Sequence, residues 1–256
     1  MAIKPNVLLL FSDEHSFRFL GAMNSHAGDL AEPAYTPHLD RLASRGTLFT
    51  DAYCQMPLCT PSRLCMLTGR EVRKAGAWAN NSVLRPELDT LPKTFGSAGY
   101  HTALVGKMHL GGDQQMAGFD DRPYGDLTGR CGHQLEPIDD LTYAGSMRAR
   151  TESTGRTGIP ETQLQDQITA NESLAWIREH EAIKGDAPWL LVAGFSRPHF
   201  PLTAPARWLD YYAKRGVSEP KIPAGGDAYD HPMSAGMREG FMADQVDADE
   251  CMSARR

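Results

Sequence analysis

Two short runs of unbroken apolar residues constrain this chain more than any other feature. Val7 to Phe11 lies near the start, and Trp189 to Phe195 lies far down the chain. A strand wetted on one face alternates polar and apolar residues, whereas a strand covered on both faces reads as a continuous apolar run. Both runs therefore predict buried strands of a parallel sheet, the first over Asn6–Ser12. His101 to Val105 and Thr47 to Tyr53 read as two further strands. Helical signals fall between them. Thr36 and Pro37 start a helix whose inward residues are Leu39 and Leu42, and Gly46 ends it. Pro61 opens another, with Leu64 and Leu67 on one face. Leu91 to Ala98 stops at Gly99, and Gln163 to His180 carries Leu164, Ile168, Leu174 and Ile177 at helical spacing. Strands alternating with helices predict an α/β fold, a mainly parallel sheet sandwiched by helices. Residues 111–160 are rich in Gly, Asp and Thr and read as a loop-rich excursion from a single domain spanning 1–256.

Bulk properties exclude several classes. A chain of 256 residues can bury a substantial core, and 41% hydrophobic with 23% charged residues is ordinary for a globular protein. The net charge of −6 argues against a nucleic-acid partner. Val7 to Phe11 is far too short to span a membrane, and it lacks the length and small-residue cleavage site of a secretory signal. Five cysteines at irregular spacing do not make a disulfide framework, so a reduced, cytoplasmic setting is expected. There is no internal repeat, and nothing in the sequence sets an oligomeric state.

The chemistry concentrates at residues 59–70, Cys-Thr-Pro-Ser-Arg-Leu-Cys-Met-Leu-Thr-Gly-Arg. Cys59 stands at the mouth of the helix opened by Pro61, beside unpaired N–H groups and the positive end of a helix dipole. That setting favours anions and activated nucleophiles. Arg63 adds a cationic fork suited to tetrahedral oxyanions. A lone cysteine is more often a small buried hydrophobe, which is the expectation for Cys54 and Cys65. The run Cys59-x-Pro61-x-Arg63, with its Leu67-Thr68-Gly69-Arg70 tail, resembles the sulfatase signature.

Three further clusters follow strand ends, where α/β sheets place ligand sites. Asp13 and Glu14 can offer oxygens to a hard cation, or form a solvated loop pair. In Gly106-Lys107-Met108-His109, Lys107 and His109 are two residues apart and project to one side if the chain is extended. Such a pair can hold an oxyanion and move a proton; the plainer alternative is an exposed lysine and a capping histidine. Prolines stiffen the chain around His199 in Pro198-His199-Phe200-Pro201. Asn80 or Asn81 is a further candidate for substrate contact. Serine-hydrolase chemistry is a poor fit, because Pro198 stands where Gly194-Phe195-Ser196 would need a second glycine.

The resemblance to sulfatases, members of the alkaline-phosphatase-like superfamily, implies more. Cys59 would be converted to formylglycine by a maturation enzyme. Asp13, Glu14 and residue 59 would hold calcium. Arg63 would orient the nucleophile, Lys107 and His199 would neutralise sulfuryl oxygens, and His109 would accept the last proton. The implied function is a sulfuric ester hydrolase acting on a small-molecule sulfate ester. One alternative is a phosphonate or phosphodiester hydrolase of the same superfamily. Another is an inactive, truncated module that only binds an anion, since the resemblance covers the amino-terminal portion of a typical sulfatase and lacks a later Asp-Asn or Asp-His pair.

Overall fold

The computed structural model describes residues 4–126, 155–156, 161–216 and 232. Its strands are β1 (Val7–Ser12), β2 (His101–Gly106), β3 (Asp121–Tyr124), β4 (Gly155–Arg156), β5 (Trp189–Phe195) and β6 (Thr203–Ala204). Its helices are α1 (Asn24–Ala27), α2 (Pro37–Ala43), α3 (Cys59–Thr68), α4 (Val72–Ala75), α5 (Leu91–Ser97), α6 (Glu161–Lys184) and α7 (Ala206–Ala213). The chain divides into two compact units. One contains Met1–Asp13, Tyr53–Ile138 and Glu161–Arg197; the other contains Glu14–Ala52, Asp139–Pro160 and Pro198–Arg256.

The first unit holds a four-stranded parallel sheet in the order β1-β5-β2-β3. Continuous apolar runs produce its centre, as expected. Leu104, Leu190 and Val192 point to one face, where Leu64 and Leu67 of α3 join Leu84, Leu88, Met108 and Phe119. Ala103, Val105 and Leu191 point to the other face, against Trp176 of α6. Burial of each such leucine contributes about 1.5–3 kcal/mol, which is what holds the helices on both faces.

The structure corrects the sequence reading in several places. β1 is not covered on both faces among the described residues. Val7 and Leu9 pack on the core, while Leu8 and Leu10 remain 47% and 53% exposed. Thr47–Tyr53 forms no strand. The Thr50 hydroxyl donates to the neighbouring Asp51 carboxylate at 2.8 Å, a local bend that competes with a ladder, and Tyr53 is 90% exposed. Cys54 is exposed rather than buried, whereas Cys65 is buried as expected. The fully buried stripe of α6 is Thr169, Ser173, Trp176 and His180; of the expected inward residues Ile177 packs beside it, whereas Leu164 and Leu174 are exposed. Small residues at 169 and 173 let the helix approach the sheet, and a Cβ on Gly106 would come within 2.6 Å of the Thr169 hydroxyl. A strand, β3, lies inside the expected excursion. It pairs with β2 through an irregular register, Ala103 opposite Asp121 and Val105 opposite Tyr124. Its Pro123 is tolerated because, among the described strands, β3 stands at the edge of the sheet. Most of the rest of that excursion lies outside the described residues. No described helix is long and apolar enough to cross a membrane.

The second unit contains short turns, α1, α2, α7 and the parallel pair β4–β6. Thr36 precedes α2 but does not cap it with its side chain. Its hydroxyl accepts from Gly21 N (2.8 Å) and donates to Asp40 (2.9 Å), which also accepts from Ala22 N (2.8 Å). The helix ends at Ala43, before Gly46, and Leu39 and Leu42 are exposed. Tyr35 stacks near Tyr211, and its N–H donates to the Tyr212 hydroxyl (3.1 Å).

Candidate active site

Cys59 is the first residue of α3, as its sequence predicts. The residue before it, Leu58, provides no side-chain cap. A remote residue does this instead: Asn80 Oδ1 accepts the Thr60 N–H at 3.1 Å. The Thr60 hydroxyl lies 2.9 Å from the His109 carbonyl and 3.1 Å from the Asn80 carbonyl, tying the helix mouth to the loop after β2. Asn80 is thus a helix cap, and Asn81, half-buried beside it, takes no part in that cap.

Asp13, at the end of β1, is the hub of the first unit's site. It is buried, and its oxygens lie 3.8 and 3.9 Å from Cys59 Sγ, within reach of a weak S–H donor. Lys107 Nζ forms a close ion pair with it, and Arg63 Nη2 lies 3.6 Å away. Arg63 is 1% exposed. Its Nη1 donates to the Lys107 carbonyl at 2.9 Å, and its guanidinium lies over Phe11 at 4.7 Å. The cationic fork therefore braces Asp13 and the Lys107 loop from below. A charge buried this deeply is tolerated because a carboxylate and a carbonyl receive it.

Glycine allows that loop to form. Gly106 has φ +88°, and a Cβ there would stand 2.2 Å from the Gly194 carbonyl of β5. Lys107 N donates to that same carbonyl at 2.8 Å. The chain is not extended beyond this point, contrary to the expectation, because His109 is in the left-handed region at φ +54°. The carboxylate of Asp126 holds the turn. It accepts from Met108 N at 2.7 Å and from His109 N, and Arg122 lies 3.8 Å from it. Both ring nitrogens of His109 are buried without a hydrogen-bond partner among the described residues. Burial first, then Lys107 and Arg63, push its pKa down to about 4 against Asp126 and Asp13. At neutral pH the ring is uncharged and keeps a free lone pair, the form required of a proton acceptor.

A second carboxylate clip closes the loop after β5. Asp166 of α6 accepts from Ser196 N (2.6 Å) and Arg197 N (3.0 Å). Burial raises its pKa, although both amides favour its charged form. In the other unit, Glu14 has φ +59° and turns its carboxylate to within 3.8 Å of His199 Nε2. His199 Nδ1 lies 2.8 Å from the Phe200 carbonyl, so this nitrogen carries the hydrogen and Nε2 faces Glu14.

Asp13, Cys59, Arg63, Lys107 and His109 are thus brought together in the first unit, and Glu14 pairs with His199 in the second. Asp126, Asp166 and Thr60 were not found by sequence reasoning. Each works through backbone groups distant in sequence, which leaves no local motif; the only trace is an Asp after a strand or on a helix.

Comparisons with known proteins identify the family to which this sheet and motif belong. The family model named Sulfatase matches residues 5–239. The uncharacterized sulfatase YidJ of Escherichia coli (strain K12) is 27% identical over 222 residues, covering 82% of this chain and 41% of YidJ. The solved structure of BT4656 in complex with its substrate D-Glucosamine-2-N, 6-O-disulfate is similar at TM-score 0.61 and 25% identity, covering 85% of this chain and 39% of that one. The phosphonate monoester hydrolase of Agrobacterium radiobacter shares the fold at TM-score 0.59 and 20% identity, covering 84% of this chain and 45% of that one. The chain spans less than half the length of each of these relatives. By its motif, its parallel sheet and its match over most of its length, the chain belongs to the sulfatase family.

Proposed function

We propose that this chain is the nucleophile-bearing part of a sulfuric ester hydrolase that works through a formylglycine derived from Cys59. The observation that carries this reading is the convergence of Cys59, Lys107 and Arg63 on the buried carboxylate of Asp13, with an uncharged His109 alongside. When present, the formylglycine supplies a hydrated carbonyl, one hydroxyl of which attacks sulfur while the other re-forms the carbonyl and expels sulfate. Asn80 fixes the helix mouth from which residue 59 projects. Asp13 orients residue 59 and sets the position of Lys107. The Lys107 ammonium offsets charge that develops on the sulfuryl oxygens. Arg63 acts through Asp13 and the Lys107 carbonyl. Neutral His109 accepts the proton released when the second hydroxyl collapses.

Calcium as the particular ion enters this reading through the resemblance. A calcium ion takes six to eight oxygen ligands. Among the described residues of the first unit, Asp13 and residue 59 would be its ligands, and the Asp13 carboxylate is already shared by Lys107 and Arg63. Glu14 faces His199. These residues do not make a calcium site by themselves, so no step above runs through a metal. A maturation enzyme for Cys59 and a small-molecule sulfate ester complete the proposed set of partners.

Intact-mass spectrometry of the protein co-expressed with a formylglycine-generating enzyme should show the loss expected for cysteine-to-aldehyde conversion at residue 59. Unmodified Cys59 under those conditions would count decisively against the reading. Rates on aryl sulfate and aryl phosphonate esters then separate sulfatase from phosphonate hydrolase, and turnover of the phosphonate alone would favour the second.

A further inference from the structure

At the start of β2, the opposite end of that strand from Lys107, four side chains form a continuous polar chain. His101 Nε2 lies 3.0 Å from Asp121 Oδ2, which also accepts the Trp176 indole N–H at 2.8 Å. His101 Nδ1 lies 3.0 Å from His180 Nδ1. His180 Nε2 lies 2.9 Å from the Ala187 carbonyl. The two imidazole planes differ by only 24° and their centroids are 5.1 Å apart, well beyond the 3.0 Å between nitrogens. The rings therefore meet edge to edge through those nitrogens.

Counting hydrogens decides what this geometry needs. A carbonyl only accepts, so His180 Nε2 must carry hydrogen. Ionised Asp121 also only accepts, so His101 Nε2 must carry one too. Two neutral imidazoles are then used up, and two lone pairs face each other at 3.0 Å. Placing the proton on Asp121 instead leaves the total unchanged. Three contacts require three hydrogens, and two neutral rings bring two.

We propose that His101, His180 and Asp121 bind one shared extra proton, forming a pH-sensitive latch that joins β2 and β3 to helix α6. With the proton bound, the chain is a cationic imidazole pair neutralised by Asp121. Without it, the facing lone pairs repel and the contact opens. The groups facing His101 are Asp120 and Asp121 from the β3 side, and Lys184 and His180 from α6; β5 contributes only the apolar Trp189. Burial lowers the His101 pKa most, Lys184 and His180 add to that, and the two aspartates oppose it. The His101 ring of the latch therefore takes a proton less readily than an ordinary imidazole. A cleft lined by Gly99, Tyr100, His101, Asp120, Lys184 and Ala187 gives solvent a path to it, whereas His180 is only 3% exposed. Trp176 lies against both rings, at 5.4 and 5.1 Å.

The test is a ring-nitrogen NMR titration of the chelator-treated wild-type protein from pH 4.5 to 8. His101 and His180 should titrate as one coupled system, in two macroscopic steps about 1 pH unit or more apart. In the low-pH form both Nδ1 signals should move together. His180→Phe, which preserves an aromatic ring against Trp176, should collapse the His101 response to a single step. Independent single-site titrations would overturn the proposal, as would two neutral Nε2–H rings throughout. Equimolar zinc that abolishes the titration would also overturn it, assigning the paired nitrogens to a metal.

Discussion

The turn that presents Lys107 and His109 rests on Asp126, so replacing Asp126 is the most informative perturbation of the site. Its carboxylate accepts from two consecutive amides, Met108 N and His109 N. Met108 is fully buried and His109 partly so. An unsatisfied buried donor costs about 1–3 kcal/mol, so Asp126→Ala should lower stability by about 2–4 kcal/mol. Asp126→Asn keeps one acceptor and turns an NH2 toward the other amide, at a cost of about 1–2 kcal/mol. Urea unfolding measures both, with an unchanged slope showing that the denatured state is unaltered. The asparagine variant carries a second signature. Asp126 raises the His109 pKa against burial and its cationic neighbours. Its neutralisation should move the His109 NMR midpoint below that of the wild-type protein. A merely space-filling residue would not do this. An alanine variant within about 0.5 kcal/mol of wild type, the range of an ordinary surface change, would refute the clip. So would an unmoved His109 titration in the asparagine variant.

Three more outcomes follow from the same geometry. The His109 pKa falls from 6.5 to about 4 on folding, so between those values the unfolded chain binds the extra proton and the native one does not. Stability should fall by about 3 kcal/mol as pH drops through that window, unless the His109→Gln variant, unfolded in parallel, shows the same slope. Asn80→Ala removes the remote cap from α3 and should cost about 1 kcal/mol in thermal or urea unfolding; no change would assign the cap to another group. Gly106→Ala places a Cβ 2.2 Å from the Gly194 carbonyl at φ +88° and should yield little folded protein, whereas a Tm near wild type would contradict the close approach of β2 and β5.

Much of the scaffold was legible because burial on both faces writes itself into sequence. Leu104, Val105 and Leu190 to Ala193 are buried on a sheet sandwiched between α3 and α6, and uninterrupted apolar runs are what such strands require. The start of α3 was legible through Pro61 and its paired leucines. β3 was not, since Asp121-Arg122-Pro123-Tyr124 has neither alternation nor an apolar run and is held by its position beside β2. The inner face of α6 was only half legible for a related reason: Ile177 packs on the core, but Leu164 and Leu174 do not. Trp176 and His180 are fixed by Asp121 and His101, and Thr169 by the glycine opposite, so tertiary partners chose the face rather than leucine spacing. The nucleophile cluster was visible as residue types at strand ends. The carboxylates that shape its loops were invisible, because their partners are amides, which every residue has.

The half-bare strand at the margin of the sheet has a consequence for how this polypeptide behaves in solution. Among the described strands, β1 is hydrogen-bonded to β5 alone, and its exposed face carries Leu8 and Leu10. A six-residue edge strand with two exposed leucines on one face is a template for another strand. Handled at high concentration, such a surface recruits whatever extended segment is nearest, so self-association would grow with concentration and would be suppressed by a charged residue in place of Leu8.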